Sequence, residues 1–396
     1  MTDRAVSTTT GAVIAILSIA VVALLVLDLA QPVPPAASCT VASGCEPTPT
    51  LLEFQQRNLT SSVPGVAAHT DPELIDAWGL SFGDPGRIWV NAQSGYSIVY
   101  NGTGGPVMID DSVDHPGELV PLSVYVPPDP TAGGPAPLTG LVFDSLHGQP
   151  GAPFLGDAFT FVSEQGVIAG WQPLANGSEP LNATIRVDDY RSGAVFKGVA
   201  SADTPYGWEL FVADFSQGRI DVFNSTYAPV QTPWGYQDPL LPAGYAPFDV
   251  AVIDGQLFVT YAKQSIDDQN DVKGVGNGYI DVYSLDGSFE RRLVSGGPLN
   301  SPWGLALAPS DYGALAGALL VGNFGDGHIN AYNASTGAYL GTVAQGGTVL
   351  QIDDLWSLTF GTGNGAGPTD QLYFTAGSSA ESQGIFGELD YSGVNG

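Results

Sequence analysis

A short hydrophobic–small–aliphatic pattern returns six times along the 396-residue chain, as Trp78-Gly79-Leu80, Thr139-Gly140-Leu141, Lys197-Gly198-Val199, Phe248-Asp249-Val250, Trp303-Gly304-Leu305 and Trp356-Ser357-Leu358. An apolar run such as Leu210-Phe211-Val212-Ala213-Asp214 follows each copy, then a Gly-containing turn and a third alternating run, as in Gly218-Arg219-Ile220-Asp221-Val222-Phe223-Asn224. Runs of four to eight residues bounded by Gly, Pro and Asn read as strands. Successive copies lie roughly 51–61 residues apart, and repeats of about 40–50 residues with several short strands are the mark of propeller blades. The pattern therefore predicts an all-β, six-bladed β-propeller over residues 51–396. A circular array must hide its end strands, so the segment near Phe54–Ser61 is expected to add the outer strand of the last blade.

Upstream, residues 1–30 carry an unbroken apolar run from Gly11 to Leu27, the expected N-terminal hydrophobic helix. It is short for a membrane span and long for a signal-peptide core. A cleaved signal peptide, a retained signal anchor and lipidation at Cys39 all remain open. Asp3-Arg4-Ala5-Val6-Ser7, followed by Gly11 and the apolar run, also resembles the N-terminus of archaeal type IV pilin-like proteins, although Thr8 stands where that family has Pro. That resemblance implies a subunit whose helix builds a filament, hence a homo-oligomer. Residues 31–50 are rich in Pro, Ala, Ser and Thr and read as an extended tether. Cys39 and Cys45 lie in it, and an even count in an exported chain suggests one small disulfide loop.

Composition narrows the partners. The chain has 40 Asp plus Glu against 11 Lys plus Arg, a net charge of −29. Such a surface repels phosphate backbones, which argues against nucleic acid. It favours solubility and cation-rich surroundings. Six N-x-Ser/Thr sequons occur, at Asn58, Asn101, Asn176, Asn182, Asn224 and Asn333. Three of them, Asn101, Asn224 and Asn333, fall just after a third strand. Surface glycosylation and a plain Asn turn both fit that placement.

Residues 53–391 resemble a group of uncharacterised exported proteins with a six-bladed propeller related to NHL-repeat propellers. The likeness is carried by Val259-Thr260-Tyr261-Ala262-Lys263-Gln264, Gly276-Asn277-Gly278-Tyr279-Ile280-Asp281-Val282, Pro302-Trp303-Gly304-Leu305-Ala306, Val321-Gly322-Asn323-Phe324-Gly325-Asp326-Gly327 and Tyr373-Phe374-Thr375-Ala376-Gly377. It implies a fold and an exported location, and no established activity.

Candidate chemistry follows from the repeat register. Trp78, Thr139, Lys197, Phe248, Trp303 and Trp356 are expected to ring one mouth of the channel, where aromatics stack on sugars or hold a cation or simply fill the wall. Asp76, Asp249, Asn300 and Asp354 are their oxygen-bearing neighbours and the candidate ligands for a channel metal, Ca²⁺ above all. A second oxygen cluster, Asp267, Asp268, Asn270 and Asp271, lies in a polar insertion of blade 4 but lacks the Gly and Glu of an EF-hand loop. Gly79-Leu80-Ser81-Phe82-Gly83 matches the nucleophile-elbow pattern, yet it sits in a strand rather than a strand–turn–helix. No catalytic residue is assigned. The expectation is a membrane-tethered, cell-surface or secreted binding module for a surface protein or glycan. A metal-dependent propeller lactonase and a pilin-like filament subunit are the alternatives.

Overall fold

The computed structural model describes residues 50–83, 86–110, 118–175, 177–363 and 365–395. The apolar N-terminal segment, Cys39, Cys45 and Asn176 lie outside them. The described chain belongs to one compact unit, Pro49–Gly396.

Glycine-rich turns and alternating runs give short antiparallel strands, arranged as six blades. Blade 1 is Ala77–Gly83, Arg87–Ala92, Tyr96–Tyr100 and Ser123–Tyr125. Blade 2 is Leu138–Phe143, Phe159–Ser163, Val167–Trp171 and Thr184–Asp188. Blade 3 is Phe196–Thr204, Gly207–Asp214, Arg219–Asn224 and Pro229–Val230. Blade 4 is Tyr245–Ile253, Gln256–Lys263, Gly278–Ser284 and Phe289–Ser295. Blade 5 is Pro302–Leu307, Ala318–Asn323, Ile329–Asn333 and Tyr339–Gln345. Blade 6 is Leu355–Phe360, Leu372–Ala376 and Ile385–Asn395, completed by Leu51–Ser61 from the other end of the chain. Each innermost strand packs against the next, and that of blade 6 packs against that of blade 1, so the ring closes.

The closing strand does two jobs. It runs antiparallel to Ile385–Asn395 as the outer strand of blade 6. Its first residues, Leu51 to Glu53, also pair in parallel with Thr342 to Ala344 of blade 5. Its own Phe54 is fully buried against Tyr312 and Tyr391.

A blade hides little apolar surface by itself, so the core lies between blades. Among the described residues one hydrophobic cluster fills each of the six seams, such as Trp89, Phe159, Phe161 and Trp171 between blades 1 and 2. A seventh cluster sits on the axis. The seam between blades 2 and 3 also holds a buried polar group. There Arg186 grips Asp157 through two hydrogen bonds, 2.8 and 2.6 Å, and the Tyr227 hydroxyl donates to the same carboxylate at 2.9 Å.

Candidate functional site

The recurrent triplet is a β-bulge. In every innermost strand the pairing with the second strand slips by one residue at the triplet, for example between Ala77 and Leu80 in blade 1 and between Leu355 and Leu358 in blade 6. An extra residue bends the strand and re-aims its side chain. Here it turns the first residue of the triplet toward the axis. The second residue must be small because the next blade passes close by. A Cβ on Gly304 would fall 2.5 Å from the Trp356 carbonyl oxygen, and one on Gly140 2.9 Å from that of Lys197. Two blades depart from glycine at this position, with Asp249 and Ser357.

Bulged main-chain groups need partners, and side chains of the second strands supply several. Asn91 Nδ2 donates to the carbonyls of Thr139 and Gly140 in the next blade, at 3.1 and 3.0 Å. Thr375 accepts from Ser357 N and donates to the Trp78 carbonyl. Thr139 Oγ1 donates to the Phe196 carbonyl at 2.8 Å. Asp214 is fully buried and accepts from Val195 N at 3.2 Å as well as from its own turn at Gln217. Burial pushes its carboxyl up to about 6, against the pull of those N–H donors.

Of the six mouth residues, Trp78, Phe248, Trp303 and Trp356 pack on one another and Lys197 lies against them, while Thr139 bonds backbone carbonyls. Trp78 stacks on Trp356 with ring centroids 3.4 Å apart, and Trp303 stands edge-on to both. Phe324 stacks on the other side of Trp356 at 3.9 Å. Phe248 and Phe215 complete the cluster. Trp78, Thr139, Lys197, Phe248, Trp303 and Trp356 are each 0–3% exposed. Phe215 and Phe324 were missed in the sequence, although each directly follows a second strand, in Asp214-Phe215 and Asn323-Phe324. That shared register was the available signal.

Charged groups cap the aromatic plug. Lys197 reaches over the Trp78 ring, 4.8 Å from its centroid, and pairs with Glu164. Lys273 lies 3.8 Å over Phe324 and pairs with Asp354 at 2.8 Å. Asp76 accepts from both indoles, Trp78 Nε1 at 2.7 Å and Trp356 Nε1 at 2.9 Å. Burial dominates those bonds and pushes the Asp76 carboxyl up to about 8. Asp76, Ser301 and Asp354, each two residues before a Trp of the plug, all have left-handed backbone, with φ of 44°, 47° and 52°.

The four candidate metal ligands go to different places. Asp76 serves the indoles and Asp354 serves Lys273. Asn300 accepts from Gly274 N at 2.6 Å and donates to Asp326 at 3.1 Å. Asp249 alone faces a channel cavity of about 140 Å³, lined also by Gly79, Gly140, Gly304, Ser357 and Thr359. Burial holds its carboxyl well above the usual range. In the blade 4 insertion, Asp267 accepts from Ser265 and Gln269 N, Asn270 N donates to Ser265, Asp268 has a left-handed backbone, and Asp271 is half-buried. Among the described residues no three His, Cys, Asp or Glu side chains are grouped to hold a metal ion.

The sequons divide. Asn101, Asn224 and Asn333 each fold back so that Oδ1 accepts from backbone N–H groups two to four residues on, at 2.9–3.2 Å. This is one of the two roles, turn residue and glycosylation acceptor, that fit their shared register. Asn58 is half-buried and Asn182 exposed.

Two open pockets lie outside the plug, the first adjoining it at Phe324. One, of about 430 Å³, is lined by Lys273, Asp326, Asp353, Asp354 and the segment Ser379-Ala380-Glu381. The other, of about 490 Å³, lies between blades 3 and 4.

The fold is a six-bladed β-propeller, and solved structures agree. Two glucose dehydrogenase structures match with TM-scores of 0.51 and 0.50, at 12% and 13% identity, over 85% of this chain and 99% and 100% of theirs. At that identity the likeness is one of fold. The chain belongs to the family of two Acanthamoeba polyphaga mimivirus proteins, "Uncharacterized protein R648" and "Uncharacterized protein L690". They are 31% and 30% identical to it, over 84% and 82% of this chain and 78% and 82% of their own lengths. No model of a known protein family matches the chain.

Proposed function

We propose that this protein is an exported binding module, held at or released from the cell surface, that recognises its partner on the mouth face of the propeller. The observation carrying this reading is the aromatic plug. Trp78, Trp303, Trp356, Phe248 and Phe324 close the mouth in one buried cluster. A ligand arriving there meets the rim pockets and the loops of the mouth face, not the channel. Rigid scaffolds with varied loops suit recognition. The apolar Gly11–Leu27 run and the exposed sequon at Asn182 support export. The test uses the full-length protein purified from its own cells without chelators. A panel of lactones, glycosides and esters should give no turnover, and a cell-surface extract should yield a saturable, specific ligand. Turnover of any of these substrates would overturn the reading.

One observation favours a second reading. Asp249 is a lone carboxylic acid facing the channel cavity, where a metal-dependent hydrolase would place a ligand. Native mass spectrometry decides it: a bound divalent ion lost in Asp249→Asn supports the enzyme, and a metal-free protein removes it.

A further inference from the structure

We infer that the cleft between blades 3 and 4 is a binding subsite for a neutral saccharide, an inference that rests on the binding-module reading. The cleft encloses about 490 Å³, within the range of small-molecule sites. The loop from the outer strand of blade 3 to the inner strand of blade 4 forms one wall.

That loop is fixed in place. Tyr236 is buried, with its ring edge-on to Phe211 and Tyr283 and its hydroxyl donating to the Leu285 carbonyl at 2.9 Å. Its backbone is left-handed, φ 51°, a costly conformation for a bulky residue that persists only where surroundings impose it. Anchored at Tyr236, the loop presents Trp234 and Gln237 without further ordering, which lowers the cost of binding.

The exposed groups define the ligand. Trp234 lines the cleft yet is 63% exposed. Its indole N–H and the Gln237 amide make no hydrogen bond to the described residues. The charges nearby are already compensated: Arg219 is held by Asp221 at 2.6 Å, and Asp238 pairs with Arg292. A charged ligand therefore gains little here. A wholly apolar one would cover the unbonded Gln237 amide and the exposed part of the Arg219 guanidinium without bonding either, at a desolvation cost. A sugar ring satisfies both demands. Its C–H face packs on the indole, and its hydroxyls bond the amide and the guanidinium.

The experiment presents the full-length protein to an array of neutral oligosaccharides (cellobiose, chitobiose, mannobiose) and an acidic one (sialyllactose). Saturation-transfer NMR and tryptophan emission then follow the hits. The expected result is saturable binding of a neutral sugar, weakened about tenfold or more by Trp234→Ala and also weakened by Gln237→Ala, with melting temperatures unchanged. Binding of no neutral sugar, or binding that Trp234→Ala leaves intact, overturns the inference. The broader reading fails separately. If a surface-protein partner binds wild type and Trp234→Ala alike, the module stands without this subsite; substrate turnover removes the module whatever the array shows.

Discussion

Single carboxyl groups in this propeller tie stability to pH. Asp76, Asp214 and Asp281 are buried, and burial pushes their carboxyls up to about 8, 6 and 7. Unfolded, each titrates near ~4. Between those values the folded protein holds protons that the unfolded chain has released, so stability falls as pH rises. The contribution is complete below about pH 4 and, for Asp76, lost as pH passes about 8. Thermal melts from pH 5 to 8 should show a falling midpoint. Asp76→Asn should flatten that fall because an amide does not titrate, while lowering the midpoint at every pH, since its single oxygen accepts from one indole and its NH2 faces the other. A slope equal to that of the wild type would count against the assignment. At this scale the sequence displayed the mouth residues, since they repeat in register. It did not display Asp76 as their partner, because the Asp76–Trp356 bond spans 280 positions.

Strands and bulges show the logic of the elements. Period-2 runs and Gly turns located the inner three strands of most blades. The outer strands were harder: Pro229–Val230 is too short to show a period, and Thr184–Asp188 alternates but is short and buries none of its residues fully. Closure by Leu51–Ser61 followed from the need to hide an edge, and the structure has it. Parallel pairing to blade 5 was not legible, because nothing local encodes a register to a strand some 290 residues away. Phe54 is the fully buried side chain of this clasp. Phe54→Ala should cost about 3–5 kcal/mol in urea unfolding monitored by circular dichroism. A loss within the range of an ordinary surface change would mean that the clasp is not needed for closure.

For the whole molecule, charge and core pull apart. A net charge of −29 repels itself most in the compact state, and salt screens that repulsion. The melting temperature should therefore rise from low salt to molar NaCl, and a flat response would show that the acidic surface is already compensated. The sequence by itself determined the blade count, the recurrent triplet that opens each inner strand and the acidic surface, because each is written in local spacing or composition. Tertiary structure alone decided that the mouth is plugged, that Lys197 and Lys273 are spent on Glu164 and Asp354, and that the open pockets lie beside the axis. Those outcomes depend on which side chains meet when six blades close into a ring. Contacts of that kind join residues far apart in the chain, and no local pattern records them.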